Sequence, residues 1–262
     1  MTLDKQTIQK LAAYLEEAEM HAHDVTKITD DYPQLDSEDA YAIQAAIRDI
    51  KAARGTRVAG LKAGLTSRAK MKQMGVDVPI FGLLFDYMSV PNGGEVKTSE
   101  LIHPKVESEI AFVLKKPLKG PGCHVGTVLA ATDFVLPAVE IIDSRYRNFR
   151  FDLNSVIADN TSSSRFVVGD VAQNVEGLDL RTLGIVMEKN GEIVAMAAGA
   201  AVLGHPAEAL AQMANHYGAR GEEVPAGAYI MSGGATAAVA VQAGDAIHVR
   251  FQHLGAIGFR FV

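Results

Sequence analysis

Residues 103–114 read HPKVESEIAFVL. In an extended strand, successive side chains point to opposite faces, so Glu107 and Glu109 share one face. Ile110, Phe112 and Leu114 lie on the other and can anchor a core. Two carboxylates side by side repel, and if enclosed they need a cation or a shared proton between them. A second strand-like run, FVLPAVEIIDSRY (134–146), sets Glu140 among Val139, Ile141 and Ile142. A carboxylate in such a run is costly unless it is paired or ligates a metal. Glu107, Glu109 and Glu140 would together offer an all-oxygen site suited to Mg²⁺ or Mn²⁺, with positions left open for water and substrate. No His pair or Cys pair has ligand spacing, which disfavours zinc. On spacing alone, E-x-E more often marks a solvated strand face, and Glu140 could pair with Arg145 or a lysine. The metal reading rests on all three together.

Outward from this stretch, the C-terminal half reads as strands divided by turns: SRFVVG, LGIVMEKNGEIVAMA, AYIMSGG and AIHVRFQHLGAIGFRFV. KNGEI (189–193) is a two-residue hairpin signal, and VPNGGEV (90–96) a turn-rich one. A single helix is expected in this half, over 206–220, starting at Pro206. The N-terminal part is different. Residues 5–22 place Ile8, Leu11, Ala12, Leu15 and Ala18 at helical spacing, with the acidic stretch around Leu15–Ala18 expected to face solvent. A second helix spans 37–54, with Ser37 as its cap and Gly55 as its stop. RVAGLKAGL (57–65) is short and β-like, and SRAKMKQMGV (67–76) reads as a short helix. The expected fold is therefore α+β. A helical lobe with a lid occupies 1–76, and a β-rich body occupies 77–262, with the boundary somewhere in 76–100.

The 262 residues are 48% hydrophobic and 21% charged, enough to bury a core. With no Trp, that core must come from Ala, Val, Ile, Leu and Met. Net charge is −6 with no basic stripe, which argues against a nucleic-acid partner. Cys123 is the single cysteine, so no intramolecular disulfide forms and a reducing cytoplasm is expected. The first residues lack a long apolar run, which argues against a signal peptide, and no membrane span is expected.

Other residues invite chemistry. Lys62 lies in AGLKAGL as a lone cation in apolar surroundings. It could bind a carboxylate or, if burial lowers its pKa, donate a proton; a snorkelling surface lysine is the alternative. Asn160 and Ser162, in ADNTSSS, could bind a substrate carboxylate or orient a glutamate, or simply form a turn. Ser232, before two glycines, could touch substrate or belong to a tight turn. Asp143 and Arg145 are expected to brace Glu140 or form a salt bridge. His205, ahead of Pro206, is expected to be structural. Gly64 and Gly75 bound 67–76, where Met71 and Met74 could repack over a ligand as a lid.

GLKAGLTS, PKVESEIAF, LPAVEIIDSRY, IADNTSSSR, AAVLGHP and IMSGGATAAV occur in the order found in the fumarylacetoacetate hydrolase superfamily. The chain resembles its hydratase/decarboxylase branch almost end to end. AHDVTKITDDYP, VEIIDSRYRNFRFD and GAYIMSGGATAAVAVQAGD look more like the decarboxylase side. The resemblance implies mixed β-sheets rolled into a sandwich-like body with helices outside. It implies Mg²⁺ or Mn²⁺ on Glu107, Glu109 and Glu140, and Lys62 as the catalytic residue. The implied reaction, in meta-cleavage of aromatic compounds, is decarboxylation of 2-oxo-3-hexenedioate, a small 2-oxo dicarboxylate. This acid is a vinylogous β-keto acid, so losing CO₂ leaves a dienolate whose charge a cation can stabilise. Association with 2-oxopent-4-enoate hydratase is implied as well, and a homo-oligomer is expected. The alternatives are the hydratase reaction on the same scaffold, a C–C hydrolase lacking a clear base, and an inert partner subunit of the hydratase.

Overall fold

Strand periodicity becomes a two-sheet body in the computed structural model, which describes residues 2–68, 71–72 and 75–262. The larger sheet contains β1 (Val58–Gly64), β2 (Ile80–Phe85), β3 (Ser89–Val90), β5 (Lys105–Leu114), β6 (Thr132–Ile142), β7 (Ser163–Val168) and β10 (Tyr229–Met231). Their order is β2-β1-β10-β5-β6-β7-β3, and β11 (Val239–Ala240) also pairs with β5. The smaller sheet runs β4-β13-β12-β8-β9, built from Glu95–Val96, Gly255–Phe261, Ala246–Phe251, Gly184–Lys189 and Glu192–Ala198 respectively. Ile110, Phe112 and Leu114 pack with Val135, Val139 and Ile141 against Ile185, Met187, Val249 and Phe259 of the smaller sheet. One face of β5 and β6 is thus spent on the core, as alternation requires. The helix Pro206–Gly218 closes that core with Leu210 and Met213.

The N-terminal helices Lys5–Met20 and Ser37–Ala53 pack on the other side, in a cluster containing Ile8, Leu15, Ile43, Ile47, Ile80 and Tyr146. Asp36, not Ser37, caps the second helix: its carboxylate accepts the Asp39 N–H at 2.8 Å in a reciprocal capping box. The acidic stretch is not a solvated face either. Glu16 is 3% exposed and pairs with Lys51 at 2.8 Å and Arg54 at 2.7 Å.

The KNGEI hairpin forms as β8–β9. VPNGGEV does not form a hairpin. Val90 pairs in parallel with β7, whereas Glu95 and Val96 pair in parallel with β13. The turn at Pro91–Gly94 moves the chain from one sheet to the other, because neither two-residue flank is long enough to pair with its neighbour. Two further short helices, Val125–Ala131 and Leu153–Ala158, appear in the half where one was expected. Strand β1, expected with the helical lobe, lies inside the large sheet between β2 and β10. Of the expected lid, Ala69, Lys70, Gln73 and Met74 lie outside the described residues, and Met71 is buried. No helix among the described residues is long and apolar enough to cross a membrane.

Candidate metal centre

Register brings the three glutamates together. In the antiparallel β5–β6 pair, Glu107 lies directly opposite Glu140, and Glu109 opposite Ala138. Directly opposed residues project to the same face, so all three carboxylates share the face turned away from the main core. One oxygen of each lies within 4.8 Å of the others, and all three residues are buried. The Gly233 N–H donates to Glu109 Oε2 at 2.8 Å. Glu109 Oε1 and Glu140 Oε1 are buried and accept no hydrogen bond from any described residue. Burial first, then the Glu140 charge, push the Glu109 carboxyl well above the usual carboxylate range, with Lys62 offsetting part of this. Burial likewise raises Glu140, opposed mainly by Lys62.

Lys62 reaches this cluster from β1. Its partners Met231 on β10 and then Ala111 on β5 carry the lateral register to the glutamate strand. Its Nζ lies 3.0 Å from Glu140 Oε2 and donates to the Thr161 carbonyl at 3.2 Å. It is not a snorkelling lysine, being 3% exposed. Burial pulls its pKa down, but Glu140, Glu109 and Glu107 more than offset this and hold it above the ordinary lysine value. The expectation of a burial-lowered pKa is thereby reversed.

The Thr161 carbonyl is aimed by a turn of unusual geometry. Asn160, Thr161 and Ser162 have φ of 47°, 54° and 57°, three consecutive left-handed residues that are not glycine. Each costs about 1–2 kcal/mol, so the turn must be held from outside. The Asn160 side chain does so. Its Oδ1 accepts the Leu83 N–H at 2.8 Å and its Nδ2 donates to the Leu83 carbonyl at 2.9 Å. Asn160 therefore docks the turn on β2 through one amide N–H and one lone pair of its amide oxygen. Gly82 allows the approach, since a Cβ there would collide with Thr161 Oγ1. Ser162 lines the cavity beside Lys62, its Oγ 3.4 Å from Asp159.

Ser232 is buried just past β10, its Oγ accepting the Ile110 N–H at 3.4 Å. The two glycines after it lie against the glutamates. Gly233 supplies the N–H to Glu109, and a Cβ on Gly234 would lie 2.5 Å from Glu107 Oε2. Asp143 and Arg145 do not brace Glu140 directly, but Arg145 forms the salt bridge expected as the alternative. Asp143 accepts the Ile102 N–H at 2.8 Å. Arg145 pairs with Asp159 at 2.7 Å and donates to the Ser163 carbonyl at 2.9 Å, fixing both ends of the left-handed turn. Burial pushes the Asp159 carboxyl up to about 7 despite that guanidinium. His205 is structural, accepting the Ala207 N–H at 3.0 Å. Sequence reasoning missed Gly233, Gly234 and Thr161. The GG pair was a usable signal; a backbone carbonyl leaves none.

Lys62, Glu107, Thr161 and Ser162 open on a cavity of about 620 Å³, walled by Ile80, Ile142, Val156, Phe149 and Phe151. Three buried carboxylates, with Glu109 Oε1 and Glu140 Oε1 accepting no hydrogen bond from a described residue and no thiolate or imidazole in the cluster, fit a hard divalent cation such as Mg²⁺ or Mn²⁺.

Known proteins show the same arrangement of chain. Over 261 residues the sequence is 60% identical to 4-oxalocrotonate decarboxylase of Pseudomonas sp. (strain CF600), covering 100% of this chain and 99% of that one. It is 39% identical to 2-hydroxyhexa-2,4-dienoate hydratase of Comamonas testosteroni, with 98% of each covered. The structure of 4-oxalocrotonate decarboxylase from Pseudomonas putida G7, complexed with magnesium and adipate, superposes with a TM-score of 0.98 at 56% identity, covering 100% of this chain and 99% of that chain. Residues 66–262 match the family described as fumarylacetoacetate (FAA) hydrolase C-terminal. The chain belongs to the fumarylacetoacetate hydrolase family.

Proposed function

We propose that this chain decarboxylates 2-oxo-3-hexenedioate (4-oxalocrotonate) to 2-hydroxypenta-2,4-dienoate and CO₂, using Mg²⁺ or Mn²⁺ held by Glu107, Glu109 and Glu140. The observation that carries this reading is the buried three-glutamate cluster facing the Lys62 ammonium in one cavity. Full-length identity of 60% to a decarboxylase, against 39% to a hydratase, supports the reaction over the hydration alternative.

When bound, the cation supplies a Lewis acid for the 2-oxo acid end of the substrate. The chain does the rest. Lys62 has three N–H donors, and Glu140 and Thr161 occupy two. The third is left for the substrate's 2-oxo oxygen. As the C5–C6 bond breaks, its electron pair becomes the C4=C5 bond. The former C3=C4 pair moves to C2=C3, and the C2=O pair moves to oxygen. A proton from Lys62 Nζ then completes the dienol. Ile80, Ile142 and Val156 keep the wall beside the reacting chain apolar, which limits stray protonation of the dienolate.

The dienol product is what a hydratase of this branch consumes, which supports association with 2-oxopent-4-enoate hydratase. Self-association and residence in the cytoplasm complete the reading. Purified protein with Mg²⁺ and 2-oxo-3-hexenedioate should release CO₂ as the dienol absorbance appears. Hydration of 2-oxopent-4-enoate without CO₂ release from the diacid would replace this reading with the hydratase one.

A further inference from the structure

We propose that Lys105 and Arg150 form the subsite for the remote carboxylate of the substrate, and so set a preference for 2-oxo diacids over 2-oxo monoacids. The inference deepens the decarboxylase reading and rests on it. Strand β5 acts as a ruler. Lys105, Glu107 and Glu109 share one face, and Lys105 lies one step outward from the glutamates, about 7 Å along the strand. That step matches the span of a six-carbon diacid whose 2-oxo acid end sits at the glutamates. The cavity that takes in Lys62 and Glu107 also takes in Lys105, Phe149 and Arg150.

These cations are available. Most of the arginines here are paired: Arg145 with Asp159, Arg147 with Asp24 and Arg165 with Glu100. Among the described residues, neither Lys105 nor Arg150 has a carboxylate partner. Lys105 Nζ instead lies 3.9 Å from the centroid of the Phe149 ring, which fixes the ammonium and dries one side of it. The backbone that brings Phe149 there is strained. Asn148 and Phe149 have φ of 58° and 57°, and a bulky residue in the left-handed region is an outlier. Such geometry clusters at ligand clamps. The turn is closed by the Phe149 N–H on the Tyr146 carbonyl at 3.0 Å and the Arg150 N–H on the Arg147 carbonyl at 3.2 Å. It sets an exposed guanidinium at the cavity wall.

The gripped carboxylate is the one that leaves. It departs as neutral CO₂, so the two cations favour the bound substrate and not the carbanionic product. Their removal should raise KM without lowering kcat, because the grip weakens as the carboxylate loses its charge.

The test uses two unreactive ligands of equal length, 2-oxohexanedioate and 2-oxohexanoate, which differ only in the remote carboxylate. Calorimetry on Mg²⁺-loaded protein should give Arg150→Gln and Lys105→Gln about tenfold weaker binding of the diacid, the low end for a charged hydrogen bond, with monoacid binding within about twofold of wild type. Arg150→Lys should regain part of the loss. In turnover, the glutamine variants should raise KM for 2-oxo-3-hexenedioate with kcat no lower than wild type. Equal weakening of both ligands, or no change in either, overturns the proposal. Neither ligand reacts, so the result does not depend on turnover: wild type that prefers the diacid but releases no CO₂ would sink the decarboxylase reading and leave this subsite standing.

Discussion

Replacing Glu109 by glutamine should stabilise the metal-free protein while destroying its cation site. Glu109 is wholly buried, and its carboxyl is held well above the usual range by burial and by Glu140, with only partial relief from Lys62. A carboxyl whose folded pKa is raised favours folding while it is protonated. That contribution is fully present below its ordinary value of 4.5 and is lost as pH rises through the folded value. At pH 7 the linked cost is bounded at about 1.4 kcal/mol per pH unit above the ordinary value, or about 3 kcal/mol in all. Glutamine is nearly isosteric and its amide oxygen can still accept the Gly233 N–H, so Glu109→Gln should recover about 1–3 kcal/mol. At roughly 2–4 °C per kcal/mol for a chain of this size, Tm in EDTA should rise by about 2–12 °C at pH 7. The gain should shrink toward zero near pH 4.5. Saturating Mg²⁺ should stabilise wild type, by about 2.7 kcal/mol at one hundred times Kd, and should barely move the variant. Scanning calorimetry of both proteins at pH 5 and 7, with EDTA and then Mg²⁺, measures every term. A variant less stable than wild type in EDTA at pH 7, or equally responsive to Mg²⁺, would refute the reasoning.

Three further variants probe the supports. Lys62→Ala should lower turnover by about two orders of magnitude or more, with Mg²⁺ binding by calorimetry retained or tightened, since the ammonium competes for the same carboxylates. Gly234→Ala would set a Cβ 2.5 Å from Glu107 Oε2; Mg²⁺ affinity should fall about 10- to 100-fold while far-UV circular dichroism stays unchanged. Asn160→Ala strips both Leu83 backbone groups of their partner and frees the left-handed turn, so urea denaturation should show a loss of about 2–4 kcal/mol, with slower turnover as the Thr161 carbonyl drifts from Lys62.

Much of the site was legible because strand alternation is a local rule. Once Glu107 and Glu109 lie on a strand, they must share a face, and Glu140 in an apolar run advertises its own desolvation cost. What alternation cannot give is lateral register. Placing Lys62 against Glu140 depends on β10 lying between β1 and β5, a long-range pairing with no signature in AGLKAGL. The docking of Asn160 on Leu83 could not be read from ADNTSSS, since a side chain that docks on a distant strand looks the same in sequence as one that binds a substrate. Asp143 and Arg145 follow Glu140 closely in sequence, yet beyond the end of β6 at Ile142 the chain leaves the sheet, and proximity along the chain no longer meant proximity to the carboxylates. The VPNGGEV turn misled for a related reason: turn chemistry specifies a reversal, not which sheet receives the returning strand.

The most direct test of the central claim is the rate of CO₂ release from 2-oxo-3-hexenedioate as chelator-stripped protein is titrated with Mg²⁺, with bound cation counted in parallel. The account predicts negligible release without metal and activity that rises in proportion to one cation per chain. It also predicts that neither the cation nor the activity returns in Glu140→Gln. Full turnover by stripped protein, or normal turnover by Glu140→Gln, would contradict it.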